Sequence, residues 1–215
     1  MTAGPAAAQA VRADPGDAAQ LSSLIALAFH DLPPSTWLIP DSVARREVFP
    51  DYFRLYVDHA FEAGAVYTTP ELAAVALWLP NGTGHDDPPA GYDARLAAVA
   101  GGWVDRFRAF DAQLDKHHPA GERHDHLAIL AVHPTLQGRG VGSALLDAHH
   151  RELASGAEPV AAYLEAASLD SRRLYARHGY QDLPEPIPFP DGKPSTAMMY
   201  PMWRPPTPVG RTEPV

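Results

Sequence analysis

The sequence contains no cysteine. Disulfide frameworks, thiolate metal sites and a cysteine nucleophile are thereby excluded. It has no run of eighteen apolar residues, which leaves no candidate transmembrane helix. The opening residues, MTAGPAAAQAVRADPGDAA, put no basic stretch ahead of an apolar one. No secretory signal is read there, and the cytoplasm is the expected location. Basic residues are scarce: 17 Lys and Arg stand against 26 Asp and Glu, a net charge of −9. Nucleic acid and anionic membranes both need a basic surface, so neither is expected as a partner. What remains is an ordinary globular composition, 46% hydrophobic and 20% charged over 215 residues, enough for one well-filled core.

The 23 prolines punctuate the chain. Residues 1–8 read as a flexible N-terminus and residues 204–215 as a flexible proline-rich tail, with a single domain over 9–203. Gln9–Ala13 fits a short strand, and Asp14-Pro15-Gly16-Asp17 opens a helix with a buried stripe of Leu21, Leu24, Ile25, Ala28 and Phe29. His30–Asp41 reads as a proline-broken loop carrying Trp37, and Ser42–Glu62 as a helix bent or interrupted at Pro50. Gly64–Thr69 and Glu71–Pro80 pair as a hairpin. Residues 90–118 form a helical insert that Gly101-Gly102 should break in two. Later strands are expected over Val160–Ala166, from Tyr180, and over Thr196–Trp203, with a short helix Asp170–His178 ended by Gly179.

The most informative stretch is Leu127–Leu146, LAILAVHPTLQGRGVGSALL. An apolar strand runs to Val132, His133-Pro134 ends it, and a glycine-rich turn leads into a helix striped by Val141, Ala144, Leu145 and Ala148. Strand, glycine turn and helix start build an anion site, because the first helical N–H groups lack internal partners and carry partial positive charge. Glycines let a phosphate approach closely, and Arg139 adds a cation. No Lys follows these glycines, as a triphosphatase loop requires. A dinucleotide fingerprint counted from Gly138 meets Ser143 in its last place.

The remaining pattern, Gln137-Gly138-Arg139-Gly140-Val141-Gly142, resembles the Q/R-x-x-G-x-G/A turn of the GCN5-related N-acetyltransferase (GNAT) superfamily. A second stretch is similar to that superfamily's L-E-x-S … N-x-x-x-Y-x-x-x-G-F: Tyr163-Leu164-Glu165-Ala166-Ala167-Ser168, in which the serine comes one place late, then Tyr175 and Gly179-Tyr180. Ser171 replaces the usual Asn and Tyr180 the usual Phe. Ala76–Pro80 and Pro201–Arg204 resemble, loosely, the branch that includes puromycin N-acetyltransferase.

The resemblance implies an α/β GNAT fold: a central mixed, mostly antiparallel sheet, split between its central strands, with helices on both faces. It implies acetyl-CoA as cosubstrate and a small-molecule primary amine as acceptor, in a monomer or homodimer. The pyrophosphate would sit on the N–H groups from Gly138 to Ser143, the pantetheine arm on the backbones of Leu130 and Val132, and Ser171 would supply part of a polar contact. Non-catalytic CoA binding and transfer of another acyl group remain alternatives.

For catalysis, Tyr175 is the expected acid, since a phenol stays protonated at neutral pH. Its alternative is a core residue. Glu165 is either a buried base of raised pKa or a loop tie. His124 and His126 share a strand face, and His124 is either base or water anchor, or a strand end. The eleven histidines show no metal-ligand spacing, so no metal is expected. Trp37 and Trp103 are expected to line the acceptor pocket, with Asp31, Asp86 and Asp87 available to a cationic acceptor.

Overall fold

Asp14 starts the first helical turn. Its side chain accepts from Gly16 N–H at 2.7 Å, and Pro15 occupies a position where its missing N–H costs nothing. The computed structural model describes residues 9–82, 88, 91–156, 158–191 and 199–206. Expectations for residues 1–8, for Asp86 and Asp87, for the first part of the last strand and for the tail beyond 206 lie outside them.

In chain order the elements are β1 (Val11–Arg12), α1 (Ala18–Phe29), α2 (Pro33–Leu38), α3 (Ser42–Ala63), β2 (Ala65–Thr68), β3 (Ala74–Asn81), α4 (Tyr92–Ala100) and α5 (Val104–His117). They continue with β4 (His124–Val132), α6 (Val141–Ser155), β5 (Ala161–Ala166), α7 (Leu169–Arg177), β6 (Gln181–Asp182) and β7 (Tyr200–Arg204). Two expectations change. The stretch read as a proline-broken loop holds α2, because Pro33 and Pro34 stand in its first turn, where proline is compatible with a helix. Arg204 belongs to β7, paired with Ala162, rather than to the tail. Pro50 lies inside α3 without ending it. Asp41 caps that helix, accepting from Val43 and Ala44 N–H at 2.7 and 2.9 Å, and these bonds hold its carboxyl below the usual range. Gly64 stops α3 where only glycine fits: a Cβ there would lie 1.9 Å from the Trp78 carbonyl oxygen.

The sheet order is β1-β2-β3-β4-β5-β7-β6, antiparallel throughout except for the parallel pair β4–β5. This mixed, mostly antiparallel sheet with helices on both faces is the GNAT fold. One face packs Leu21, Ile25, Phe49, Phe53, Leu96 and Phe107 from α1, α3, α4 and α5. The other packs Leu145, Leu146 and Tyr175 from α6 and α7. Among the described residues no helix is long and apolar enough to cross a membrane.

Between α3, α4 and α5 lies a buried polar chain. Tyr52 and Tyr56 hydroxyls are 3.2 Å apart, Tyr56 and Tyr92 hydroxyls 3.0 Å, and Tyr92 donates to Asp111 Oδ2 at 2.8 Å. Burial, helped by the charge of Asp115, pushes the Asp111 carboxyl up to about 6. A carboxyl that binds its proton more tightly in the folded state favours folding at low pH. That contribution fades as pH rises from the unfolded value near 4 to about 6. Asp111→Asn, which can still accept from Tyr92, is therefore expected to raise unfolding free energy at pH 8 by roughly 2–3 kcal/mol. The gain should disappear near pH 4 in denaturant titrations.

Candidate active site

Strands β4 and β5 pair over three positions only, His124 with Ala161, Asp125 with Ala162 and His126 with Tyr163. Beyond them the strands part. The cause is visible on β4: Leu77 pairs with Ile129 while Trp78 pairs with Leu127, so Ala128 is an extra, bulged residue. Leu127, Leu130 and Val132 pack on the α6–α7 face, whereas Ala128, Ile129 and Ala131 pack on the other. Two consecutive residues on one face is the signature of the bulge. His133 N–H bonds to Ala73 O at 2.9 Å on the β3 side. By alternation the N–H groups of Val132 and Leu130 point the opposite way, into the split.

A cleft of about 750 Å³ occupies this split and runs to the glycine turn. Gln137 closes the turn by donating from Nε2 to Val132 O at 3.1 Å. Gly138 and Gly140 adopt left-handed φ of 72° and 81°, and a Cβ on either would meet nothing within 4 Å. The turn is therefore open as well as left-handed. The first helical bond of α6 is Ala144 N–H to Gly140 O at 3.1 Å, so the amides of Val141, Gly142 and Ser143 precede the ladder. Gly142 differs from its neighbours: a Cβ there would touch Leu174, Leu130 and Val132 side chains at 3.5–3.7 Å. Its role is packing rather than ligand approach.

Other expectations need correction. Arg139 is exposed and does not line the cleft; Arg173 and Arg177 of α7 do. Ser171 lines it, but its hydroxyl donates to Ser168 O at 2.9 Å and its Oγ accepts from Ser168 N–H at 3.1 Å, within the cap of α7. Trp37 and Trp103 are not among the lining residues. Trp37 stacks on Phe189 at 5.7 Å and carries the Arg106 guanidinium over its ring at 4.4 Å. Trp103 packs against the core. The apolar wall comes instead from Ala28, Phe29, Leu32 and Met199. Asp31 is engaged by His30 at 2.8 Å and Arg45 at 3.6 Å.

The chemistry-bearing groups sit where the strands begin to part. Tyr175 lines the cleft, and burial together with the charge of Glu165 pushes its hydroxyl well above 10. Glu165 also lines it and accepts at Oε2 from His126 Nε2 at 2.9 Å. His124, the histidine favoured from sequence, is fully buried, and neither it nor His126 nor His118 is among the residues lining the cleft, which Glu165 reaches. His124 Nδ1 donates to Glu122 O at 2.7 Å and its Nε2 lies 3.0 Å from His118 Nε2. The His118 ring in turn meets His126 edge-on at 5.0 Å. The sequence reading paired His126 with His124 on one face but did not find His118, whose approach depends on where α5 ends.

Burial would raise the Glu165 carboxyl, yet the charge and hydrogen bond of His126, with His118 and Tyr163 nearby, hold it below the usual range. The expected raised pKa is thus overturned by its neighbours. The Tyr163 hydroxyl lies beside Glu165, but neither it nor Glu165 Oε1 finds a partner in hydrogen-bond geometry among the described residues.

Comparison with known proteins agrees with this geometry. Residues 99–182 match the acetyltransferase (GNAT) domain family. A stretch of 80 residues is 36% identical to mycothiol acetyltransferase of Propionibacterium freudenreichii subsp. shermanii, covering 36% of this chain and 24% of that protein. The chain thus matches about a quarter of the length of this curated relative. Across 94% of this chain and 98% of the other, the structure resembles histone acetyltransferase HPA2 and related acetyltransferase from Corynebacterium glutamicum, with TM-score 0.67 and 25% identity. Arylalkylamine N-acetyltransferase 2 from Aedes aegypti shares the fold at TM-score 0.57 and 13% identity, over 91% and 96% of the chains. The protein has the fold of the GNAT acetyltransferase superfamily in this broad sense.

A depressed carboxyl pKa contributes stability above its unfolded value and loses it as pH falls through the folded one. Glu165→Gln, which keeps an acceptor for His126 but not the charge, is accordingly expected to cost roughly 1 kcal/mol at pH 7, the difference between a hydrogen bond to a charged and to a neutral acceptor. In denaturant titrations the two proteins should converge below the ordinary carboxylate range.

Proposed function

We propose that the chain is an acetyl-CoA-dependent N-acetyltransferase that modifies a primary amine on a small molecule with an apolar body, by direct attack in a ternary complex. The observation that carries this reading is the parting of β4 from β5, which joins the open glycine turn to Tyr175 and Glu165 in one cleft. Acetyl-CoA would supply the acyl group as a thioester. The residues fit it: the amides of Val141, Gly142 and Ser143 suit a pyrophosphate, with Arg173 and Arg177 as nearby cations. The N–H groups of Leu130 and Val132 suit the amides of a pantetheine arm and a carbonyl oxygen gaining charge.

The acceptor must lose a proton, because an ammonium has no lone pair. In this reading Glu165, which lines the cleft, attracts the ammonium and takes its proton at Oε1, while His126 Nε2 donates to Oε2 and steadies the carboxylate. Tyr175, protonated throughout the physiological range, donates to the departing sulfur. The wall of Ala28, Phe29, Leu32 and Met199 favours an aromatic or aliphatic amine over a polycation, since it offers no cluster of carboxylates. Ala76–Pro80 and Pro201–Arg204 support a place near the puromycin N-acetyltransferase branch.

Release of free thiol from acetyl-CoA across a panel of amines tests the activity. Thiol that appears only with amine supports it; tight CoA binding with no amine-dependent thiol identifies a binding protein instead. Tyr175→Phe should lower kcat by about 10²–10⁴-fold while leaving acetyl-CoA affinity unchanged. Gly140→Val should abolish acetyl-CoA binding measured by calorimetry, because a β-branched residue at a φ of 81° strains the turn and fills the open cradle. Phe29→Ala should raise the acceptor KM by roughly 5–150-fold, equivalent to about 1–3 kcal/mol of lost burial. A silent Phe29→Ala, or a preference for polyamines, would sink the apolar acceptor.

A further inference from the structure

The end of α5, the start of β4 and the end of β5 bring His118, His126 and Glu165 together. One ring nitrogen of each histidine and one carboxylate oxygen of Glu165 all lie within 4.8 Å of one another. The setting is nearly dry, with side-chain exposures of 15% for His126 and 5% for Glu165. Independently, Glu165 Oε1 and the Tyr163 hydroxyl are buried there without hydrogen-bond partners among the described residues. Buried polar atoms are almost always paired, so Glu165 Oε1, beside the Tyr163 hydroxyl but outside hydrogen-bond geometry, is a donor atom that an ion could use.

We infer that His118, His126 and Glu165 bind a divalent transition ion of the zinc type, and that the ion blocks acetyl transfer by occupying the carboxylate that takes the amine's proton. The binding stands on the geometry; the blocking rests on the acetyltransferase reading. Two imidazoles and one carboxylate are a donor set of intermediate softness that suits Zn²⁺, whereas Mg²⁺ and Ca²⁺ require shells of oxygen. Zinc bonds of about 2.0–2.1 Å place tetrahedral ligand atoms roughly 3.3 Å apart, so the cluster must close up, and His118, whose Nε2 now meets Asn81 Nδ2 at 2.8 Å and His124 Nε2 at 3.0 Å, must offer Nδ1 or give up those contacts. The hydrogen now between His126 Nε2 and Glu165 is exchanged for the metal. It moves to the other ring nitrogen, or leaves as a proton when the imidazole is charged, so acid competes with the ion. Of the three, Glu165 lines the cleft, so an ion held here would sit against the group proposed to meet the amine.

Titration with Co²⁺, whose visible absorption reports tetrahedral nitrogen and oxygen ligands, tests the site without requiring any catalytic activity. One equivalent is expected to bind the wild-type chain, weakened more than about 100-fold in both His118→Gln and Glu165→Gln. A second histidine and carboxylate group, Asp147, His150 and His178, serves as the control. Absence of the tetrahedral spectrum, retention of binding in folded His118→Gln and Glu165→Gln, or its loss in His178→Gln alone would overturn the site. Buffered Zn²⁺ should inhibit the wild-type enzyme competitively with the amine, and His118→Gln, active in chelator, should resist it. Acetyl transfer indifferent to Zn²⁺ would overturn the inhibition and leave the proposed activity standing. Metal binding in a chain that acetylates no amine would do the reverse.

Discussion

Backbone hydrogen bonds are obligatory in a sheet interior, and β4 and β5 forgo theirs after three pairs. That forfeiture organises the molecule. Strands separate in a core only where other groups take the freed N–H and C=O positions, because each buried orphan costs about 1–3 kcal/mol. Here the bulge at Ala128 turns β4 aside, and Gln137 satisfies the Val132 carbonyl from below the turn. The N–H groups of Leu130 and Val132 are left facing a gap, which is why a polar, extended ligand is the natural occupant. Without the parting, the glycine turn would be a phosphate cradle leading nowhere, and Tyr175 would be one more buried phenol.

The local features of the fold were readable from the residues. The glycine turn, the aspartate cap at Asp14, the hairpin of β2 and β3 and the break at Gly101-Gly102 each depend on a few neighbouring positions, and each appears as read; the Asp41 cap was not foreseen. The α2 helix was missed because Pro33 and Pro34 were weighed as breakers, although proline is favoured in a first turn. Site residues divided along the same line. Gly138, Gly140, Leu130, Val132, Glu165 and Tyr175 occupy or face the cleft, since their positions follow from strand and turn geometry. Trp37 and Trp103 do not, because bulk and hydrophobicity foretell burial without saying against what. The choice between His124 and His126 could not be made along the chain. It depends on the parallel register that sets His126 opposite Tyr163, two residues before Glu165 on β5.

The Glu165 carboxyl shows why burial alone is a poor guide to acid strength. In an apolar pocket it would be raised; the charge and hydrogen bond of His126 offset that and hold it below its usual range. Its charge has a visible counterpart in Tyr175, whose phenol is made harder to ionise by the same group. One carboxylate thus bears on two neighbours, accepting from His126 and raising the phenol of Tyr175.

The seam between the half-sheets has a mechanical meaning. On one side β4 is bound to β3 along its length, and on the other β5 is bound to β7, but the two plates are stitched together at one end only. Such a pair is stiff along its strands and compliant across the opening, like a clothes peg without a spring. The force that sets its width comes from whatever stands in the jaws and from the side chains of α7 pressed against Leu130 and Val132. Residues far from the cleft can therefore alter its width by changing the rest position of the jaws.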